Sequence, residues 1–270
     1  MSERDGFHPG VPAWVDNLGP DPRRRTDFYG SLFGWEFGEP GPMPNGGEYF
    51  VARLRGREVA GIGSSPPAGN PQPGWSTYIQ VESADDAARA AVDAGGSVLV
   101  EPFDVPPAGR IAVLADPGGA VICAWTPGER PGAELVNEPG AWSMSALITS
   151  DPEAVAPFYA AVFGWETDLF EMGEFSVTLC RLPGFVGGEP EQPVPRDVVA
   201  VVIPPGEGAA GPSRWSVDFW IADVEAAAAT TASGGGQVLV EPYDLPGFRQ
   251  VVLADPGGAA FTVSQLMLGP

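Results

Sequence analysis

Few residues in this chain are equipped for chemistry, and their placement is uneven. Glu101 and Glu241 occupy matching positions in two near-identical stretches, VLVEPFDVPPAGRIAVLADPGGA (98–120) and VLVEPYDLPGFRQVVLADPGGA (238–259). Two carboxylates facing one another would raise one pKa and suit acid–base work; a Glu-Pro corner at a sheet edge is more simply a solvated bend. Cys123 could be a nucleophile, but the chain has no lysine and a single histidine, His8, to help its thiolate form. Those two absences exclude Schiff-base chemistry, a Walker-type lysine and a pyridoxal phosphate anchor. They also remove Ser-His-Asp and Cys-His catalysis and ordinary imidazole metal sites.

The elements that must position these residues are duplicated. Asp21-Pro22 answers Asp151-Pro152, and FYGSLFGW (28–35) answers FYAAVFGW (158–165), at an offset of 130. Trp75-Ser76 answers Trp215-Ser216 at an offset of 140, so ten residues are added in the second copy, most simply within Pro183 to Arg196. A self-match of this length means two domains of one fold, with two ordinary cores. Asp21 and Asp151 read as helix N-caps followed by Pro at the first helical position, and Gly34 and Gly164 as left-handed stops. Phe28, Leu32 and Phe33 form the apolar stripe of the first helix; Val155, Phe158, Tyr159, Val162 and Phe163 form that of its counterpart, in which Pro157 should loosen the first turns. Ser83 with Asp86, and Asp223, cap two alanine-rich helices. Residues 1–11 read as a loose tail carrying His8, 127–140 as a linker, and Arg23-Arg24-Arg25 as an exposed helix face. The domains are 12–126, with units 12–66 and 74–126, and 141–268, with units 141–204 and 214–268.

Each half of each domain reads as strand, helix, glycine stop and three-stranded meander, which makes four similar units. The fold class is therefore α+β. No window reaches about 18 uninterrupted apolar residues, so no membrane span is expected, and the net charge of -21 argues against nucleic acid while suiting a cationic ligand. Two cysteines in apolar runs form no disulfide framework, which fits a cytoplasmic protein.

On the Asp-Pro-capped helices ending FYGSLFGW and FYAAVFGW, and on the turns LADPGGAVICAW and LADPGGAAFTVSQ, the chain resembles the glyoxalase/bleomycin-resistance/extradiol-dioxygenase superfamily, the vicinal oxygen chelate fold. The resemblance covers roughly residues 12 to 266 and is nearest to tandem two-domain actinobacterial members, some associated with aromatic polyketide pathways. It implies two βαβββ units per domain, each pair curling into a half-open mixed β-sheet cup with helices outside.

The resemblance also implies where metal ligands would stand: on the first strand of each unit and after the Asp-Pro turn. Those places hold Trp14, Ser76, Met144, Ser216, Cys123 and Thr262. None is His, Glu or Gln, so neither a metal nor another cofactor is expected, and metal-dependent glyoxalase or dioxygenase chemistry is expected to be absent. If these places face inward, strand alternation brings Asp16, Tyr78, Trp125, Trp142, Asp218, Trp220 and Ser264 inward with them. Each aromatic could line a cavity or simply close the cup as core. Asp16 and Asp218 are the stronger ligand contacts, because an unpartnered charge on an inward face is costly. The reading is a metal-independent protein binding or sequestering an aromatic or cationic natural product through Trp14, Asp16, Tyr78, Cys123, Trp125, Trp142, Met144, Asp218 and Trp220. The alternative is a metal-free enzyme, hydroxylase-like, cyclase, dehydratase or isomerase, using Asp16, Asp218, Glu101 or Glu241 as acid–base on a polyketide-type substrate. Fusion supplies the pseudo-twofold partner within one chain, so a monomer is expected, with a homodimer as the alternative.

Overall fold

A computed structural model describes residues 3–43, 46–64, 74–172, 175–187, 195–206 and 211–267. The connectors expected at Pro66–Gly74 and Pro205–Ser213, the unit boundaries at 66 and 268, and the ten-residue insertion lie wholly or partly outside the described residues.

Two sheets carry the chain. The first domain runs β1 (Pro12–Gly19), α1 (Pro22–Phe33), β2 (Glu36–Phe37), β3 (Gly41–Pro42), β4 (Glu48–Leu54) and β5 (Arg57–Ser64), then β6 (Gly74–Gln80), α2 (Ala84–Asp93), β7 (Ser97–Val105), β8 (Gly109–Ala115) and β9 (Val121–Pro127). The second runs β10 (Trp142–Ile148), α3 (Pro152–Phe163), β11 (Glu166–Met172), β12 (Phe175–Arg181) and β13 (Val198–Ile203), then β14 (Arg214–Trp220), α4 (Val224–Ser233), β15 (Gln237–Leu245), β16 (Phe248–Ala254) and β17 (Ala260–Leu266). The strand orders are β2-β4-β5-β1-β6-β9-β8-β7 and β11-β12-β13-β10-β14-β17-β16-β15. In each sheet the two units meet antiparallel through their first strands, β1 with β6 and β10 with β14, while each first strand pairs parallel with the last strand of its own unit. This is the paired βαβββ arrangement expected, with β2 shrunk to two residues where β11 has seven.

The helices start and stop as the caps dictate. Asp21, Ser83, Asp151 and Asp223 each accept a bond from a backbone N–H three residues on, and Gly34 and Gly164 adopt left-handed φ of 72° and 74°. Pro157 does not interrupt α3, which runs unbroken from Pro152 to Phe163.

The cores are not one per domain. One buried cluster joins Phe28, Tyr29 and Phe33 of α1 to Phe219 and Phe261 of the second sheet; the other joins Phe158, Tyr159 and Phe163 of α3 to Ile79, Leu114 and Ile122 of the first. Helix α1 packs on α4 and helix α2 on α3. Each domain thus packs its first helix against the other's second unit, and the apolar stripes of α1 and α3 are buried across the domain boundary. Strand β6 of the first sheet touches β14 of the second, and Thr77 of β6 meets Ser145 of β10 at 2.7 Å.

Two expectations need correction. Arg25 is 2 % exposed: the apolar face of α1 carries it inward, where Asn17 Oδ1 and the carbonyls of Gly19 and Gly63 accept its guanidinium. The N-terminal segment is docked, because Trp165 Nε1 donates to the Gly10 carbonyl at 2.6 Å, as Trp35 Nε1 does to Gly140 at 2.7 Å, and His8 lies edge-on to Phe185. The linker buries Ala133, Leu135 and Val136 and bonds to the start of the first sheet, from Ala133 N to Ala13 O and from Glu134 N to Glu58 O. No helix among the described residues is long and apolar enough to cross a membrane.

Candidate functional site

The β1–β6 and β10–β14 pairings set which side chains share the concave face of each sheet. In the first they align Trp14 with Tyr78 and Asp16 with Ser76; in the second, Met144 with Asp218 and Ala146 with Ser216. The neighbouring parallel pairings add Cys123 beside Tyr78 and Thr262 beside Asp218. Each cup therefore contains one carboxyl, and the two are not equivalent. Asp16 sits on the first unit of its domain and Asp218 on the second; Ala146 replaces Asp16 in the second copy and Tyr78 replaces Asp218 in the first.

The first cup is packed shut. Trp14, Asp16, Tyr78, Cys123 and Trp125 are all at most 7 % exposed, and its aromatics belong to the hydrophobic core cluster. Tyr78 donates to Asp16 Oδ2 at 2.7 Å and Tyr49 at 3.3 Å, while Trp14 Nε1 donates to the Tyr49 hydroxyl at 2.9 Å. Only glycine fits at 61, because a Cβ there would run into the Tyr49 phenol. Asp16 Oδ1 has no partner among the described residues, and burial, opposed by the two phenols, pushes the carboxyl up to about 7. Burial also drives the Cys123 thiol far upward, away from thiolate chemistry. From the linker, Arg130 lies 5.6 Å over the Trp14 ring and pairs with Glu58 at 2.9 Å. Indoles and phenols expected to line a cavity are here the cavity's filling, because the linker and the aromatics together occupy the concave space.

The second cup keeps its floor part-exposed at Met144, Ala146, Ser216, Asp218 and Thr262. Ser264 donates to Asp218 Oδ1 at 2.6 Å and Ser143 to Oδ2 at 2.9 Å. Gln250 Nε2 donates to Ser264 Oγ at 2.7 Å, and Tyr243 to Gln250 Oε1 at 3.1 Å. Burial pushes Asp218 up to about 7, against the two serine bonds. Trp220 is 9 % exposed, stands outside both core clusters, and borders a recess of about 240 Å³ shared with Asn137 and Pro139 of the linker.

Aligned on Glu101 and Glu241, and on the two Asp-Pro-Gly-Gly turns, the four residues bonded in a row from Tyr243 to Asp218 have apolar or aromatic counterparts in the first cup. Asp218 corresponds to Tyr78, Ser264 to Trp125, Gln250 to Ile111 and Tyr243 to Phe103. Alternation alone pointed to Asp218 and Ser264. Gln250, Tyr243 and Ser143 were missed, the first two because their strands were not threaded onto the cup. Ser143 was missed because a β-bulge between Trp142 and Met144 breaks the alternation. The same bulge carries Trp142, expected as lining, into register with Phe219 and into the core cluster, 5 % exposed. Glu101 and Glu241 stand exposed on β7 and β15, the outermost strands of two different sheets, where water solvates them. That position does not bring them together as a carboxylate pair.

Where the resemblance places metal ligands, the first cup offers an indole, an alcohol and a buried thiol, and the second a thioether and two alcohols. Among the described residues no three His, Cys, Asp or Glu side chains converge. This donor set does not fit a zinc, manganese or non-haem iron centre, which takes imidazoles and carboxylates.

Comparison with known proteins follows the duplication. Residues 13–124 match the model of the Glyoxalase/Bleomycin resistance protein/Dioxygenase superfamily, and residues 144–264 match that of a Glyoxalase-like domain. CFP32 of Mycobacterium tuberculosis (strain CDC 1551 / Oshkosh) is 37 % identical over 270 residues, covering 97 % of both chains. The anthracycline biosynthesis protein DnrV of Streptomyces peucetius is 33 % identical over 276 residues, covering 97 % of this chain and 96 % of its own. DauV of Streptomyces sp. (strain C5), also named an anthracycline biosynthesis protein, is 33 % identical over 273 residues, covering 96 % of this chain and 94 % of its own. Among solved structures, the Mn(II)-bound glyoxalase from Novosphingobium aromaticivorans superposes with a TM-score of 0.62 at 15 % identity, over 95 % of this chain and 82 % of that one. The 2,3-dioxygenase LapB from Pseudomonas sp. KL28 gives 0.62 at 13 %, over 98 % and 95 %. These two likenesses speak to the fold.

Proposed function

The chain belongs to the glyoxalase/bleomycin resistance/dioxygenase superfamily, and from that premise we propose that it binds a planar, polyketide-type aromatic molecule in its second cup without a metal. The observation that carries this reading is the contrast between the cups: a packed aromatic filling in one, and in the other a part-open floor with Asp218 held between Ser143 and Ser264. Met144, in register with Asp218, supplies apolar contact, and Trp220, two residues along β14, an aromatic face worth about 0.5–1.5 kcal/mol for a stacked ring beyond its burial. The two anthracycline biosynthesis relatives support a ligand of this kind.

Titration of EDTA-treated protein with quinizarin, a planar dihydroxyanthraquinone, tests the reading. One site per chain is expected, abolished by Ala146→Trp, which fills the second cup, and preserved in Trp14→Phe. Binding that survives Ala146→Trp, or that needs an added divalent ion, overturns it.

A second reading, a metal-free enzyme on the same ligand class, is favoured by one feature. A carboxyl with a pKa of about 7 can both take and give a proton near neutral pH. Turnover of a bound compound that disappears in Asp218→Asn while binding persists would establish it.

A further inference from the structure

The polar floor of the second cup has a direction. An ionised Asp218 only accepts hydrogen bonds, so Ser264, 2.6 Å from Oδ1, must give it its single proton. Ser264 Oγ is then left to accept, and Gln250 Nε2 donates to it at 2.7 Å. With its nitrogen turned that way, Gln250 presents its amide oxygen to Tyr243, whose phenol donates at 3.1 Å. The row Tyr243, Gln250, Ser264 therefore points every one of these protons toward Asp218, and Ser143 adds another at Oδ2 from the opposite strand. The proton of Tyr243 is committed, and what its oxygen has left is lone pairs. Both ends of the row are acceptors, one an anion and one neutral, and both residues are only partly buried.

We propose that the second cup selects, among planar aromatics, those bearing phenolic hydroxyl donors. One hydroxyl donates to Asp218 and another to Tyr243 Oη, which makes Tyr243, Gln250 and Ser264 the residues that set specificity. The inference rests on the second cup being the binding site and adds the chemistry of what it takes. A hydroxylated ring fits better than a bare cation because only one of the two acceptors is charged, and because Met144, in register with Asp218, and Val252, in register with Thr262, are apolar. The first cup is the internal control, since Phe103, Ile111 and Trp125 leave it without the row.

The test compares 2,6-dihydroxynaphthalene with 2,6-dimethoxynaphthalene by calorimetry on the full chain at pH 7.5, below the ordinary range of a phenol. The diol is expected to bind at least about tenfold more tightly, since the diether leaves polar groups without a partner. Tyr243→Phe and Ser264→Ala should each lower that preference by about tenfold, weakening the diol far more than the diether. Diol affinity should fall as pH drops and Asp218 takes a proton. In Ser264→Ala the midpoint of that fall should move upward, because the anion has lost a donor. Equal affinity for diol and diether overturns the inference while leaving the binding site standing. A variant that weakens both compounds alike, with an unmoved midpoint, reduces Tyr243 and Ser264 to packing and also overturns it. Failure of both naphthalenes and of quinizarin to bind removes the site itself.

Discussion

Tyr159 of the second domain donates its phenol to Asp116 of the first at 2.8 Å, while Tyr29 of the first donates to Asp255 of the second at 3.1 Å. The two motifs that identify the duplication, the FY helix end and the Asp-Pro-Gly-Gly turn, thus close on each other across the domain boundary. Trp215 and Trp75 each donate to one of these phenols at 3.0 Å. The clasp is reciprocal but not symmetric. Asp255 Oδ2 also receives Asn17 at 2.9 Å, with Arg25 nearby, whereas Tyr159 is the side chain bonded to Asp116 Oδ2.

Removing each phenol should therefore have unequal effects. Tyr159→Phe leaves a buried carboxylate oxygen without its donor and should cost about 1–3 kcal/mol. Tyr29→Phe, whose acid keeps Asn17, should cost less. Urea denaturation of both variants measures the order, and a Tyr29→Phe loss exceeding that of Tyr159→Phe would contradict it.

Asp16 should make the fold less stable as pH rises. Its folded pKa of about 7 lies above the ordinary carboxyl value, so the native state holds a proton that the unfolded state has released. The associated stability is complete below about pH 4 and lost as pH climbs through about 7, by on the order of a few kcal/mol. Asp16→Asn should gain on the wild type between pH 4.5 and 8. Parallel stability curves for the two proteins across that range would refute the assignment.

Gly61→Ala should destabilise by about 1–3 kcal/mol, because the added methyl overlaps the Tyr49 phenol and presses on Asp16. Combining it with Tyr49→Phe removes the hydroxyl nearest the clash. The double variant should then be less impaired than the sum of the single ones, and strict additivity in thermal melts would show that the two sites do not touch.

Binding in the second cup should strengthen as pH rises through about 7, where Asp218 ionises and becomes a full acceptor. Asp218→Asn should flatten that profile and weaken binding at pH 8 by about tenfold or more. A pH-independent affinity in the unmodified protein would show that Asp218 does not touch the ligand.

Much of this architecture is written locally. An Asp-Pro pair before an apolar stripe and a glycine after it specify α1 and α3 through neighbouring backbone groups, and the duplicated phrase 98–120 and 238–259 shows that whatever forms once forms twice. Alternation likewise places Asp16 and Asp218 inward, because side chains on a strand have a period of two. Other features depend on partners distant in sequence. The bulge that exchanges Trp142 for Ser143 is a property of how β10 meets β14. The burial of Arg25 depends on carbonyls at Gly19 and Gly63, and the two cores are shared because α1 and α3 find their apolar partners in the opposite domain. Above all, the sequence by itself determined that each cup would hold one acid. Which acid is sealed and which stays open to a ligand was decided only in three dimensions, where Arg130 of the linker lies over Trp14 and Tyr49 and Tyr78 close on Asp16, while Tyr243 and Gln250 come round from β15 and β16 to complete a polar row ending at Asp218.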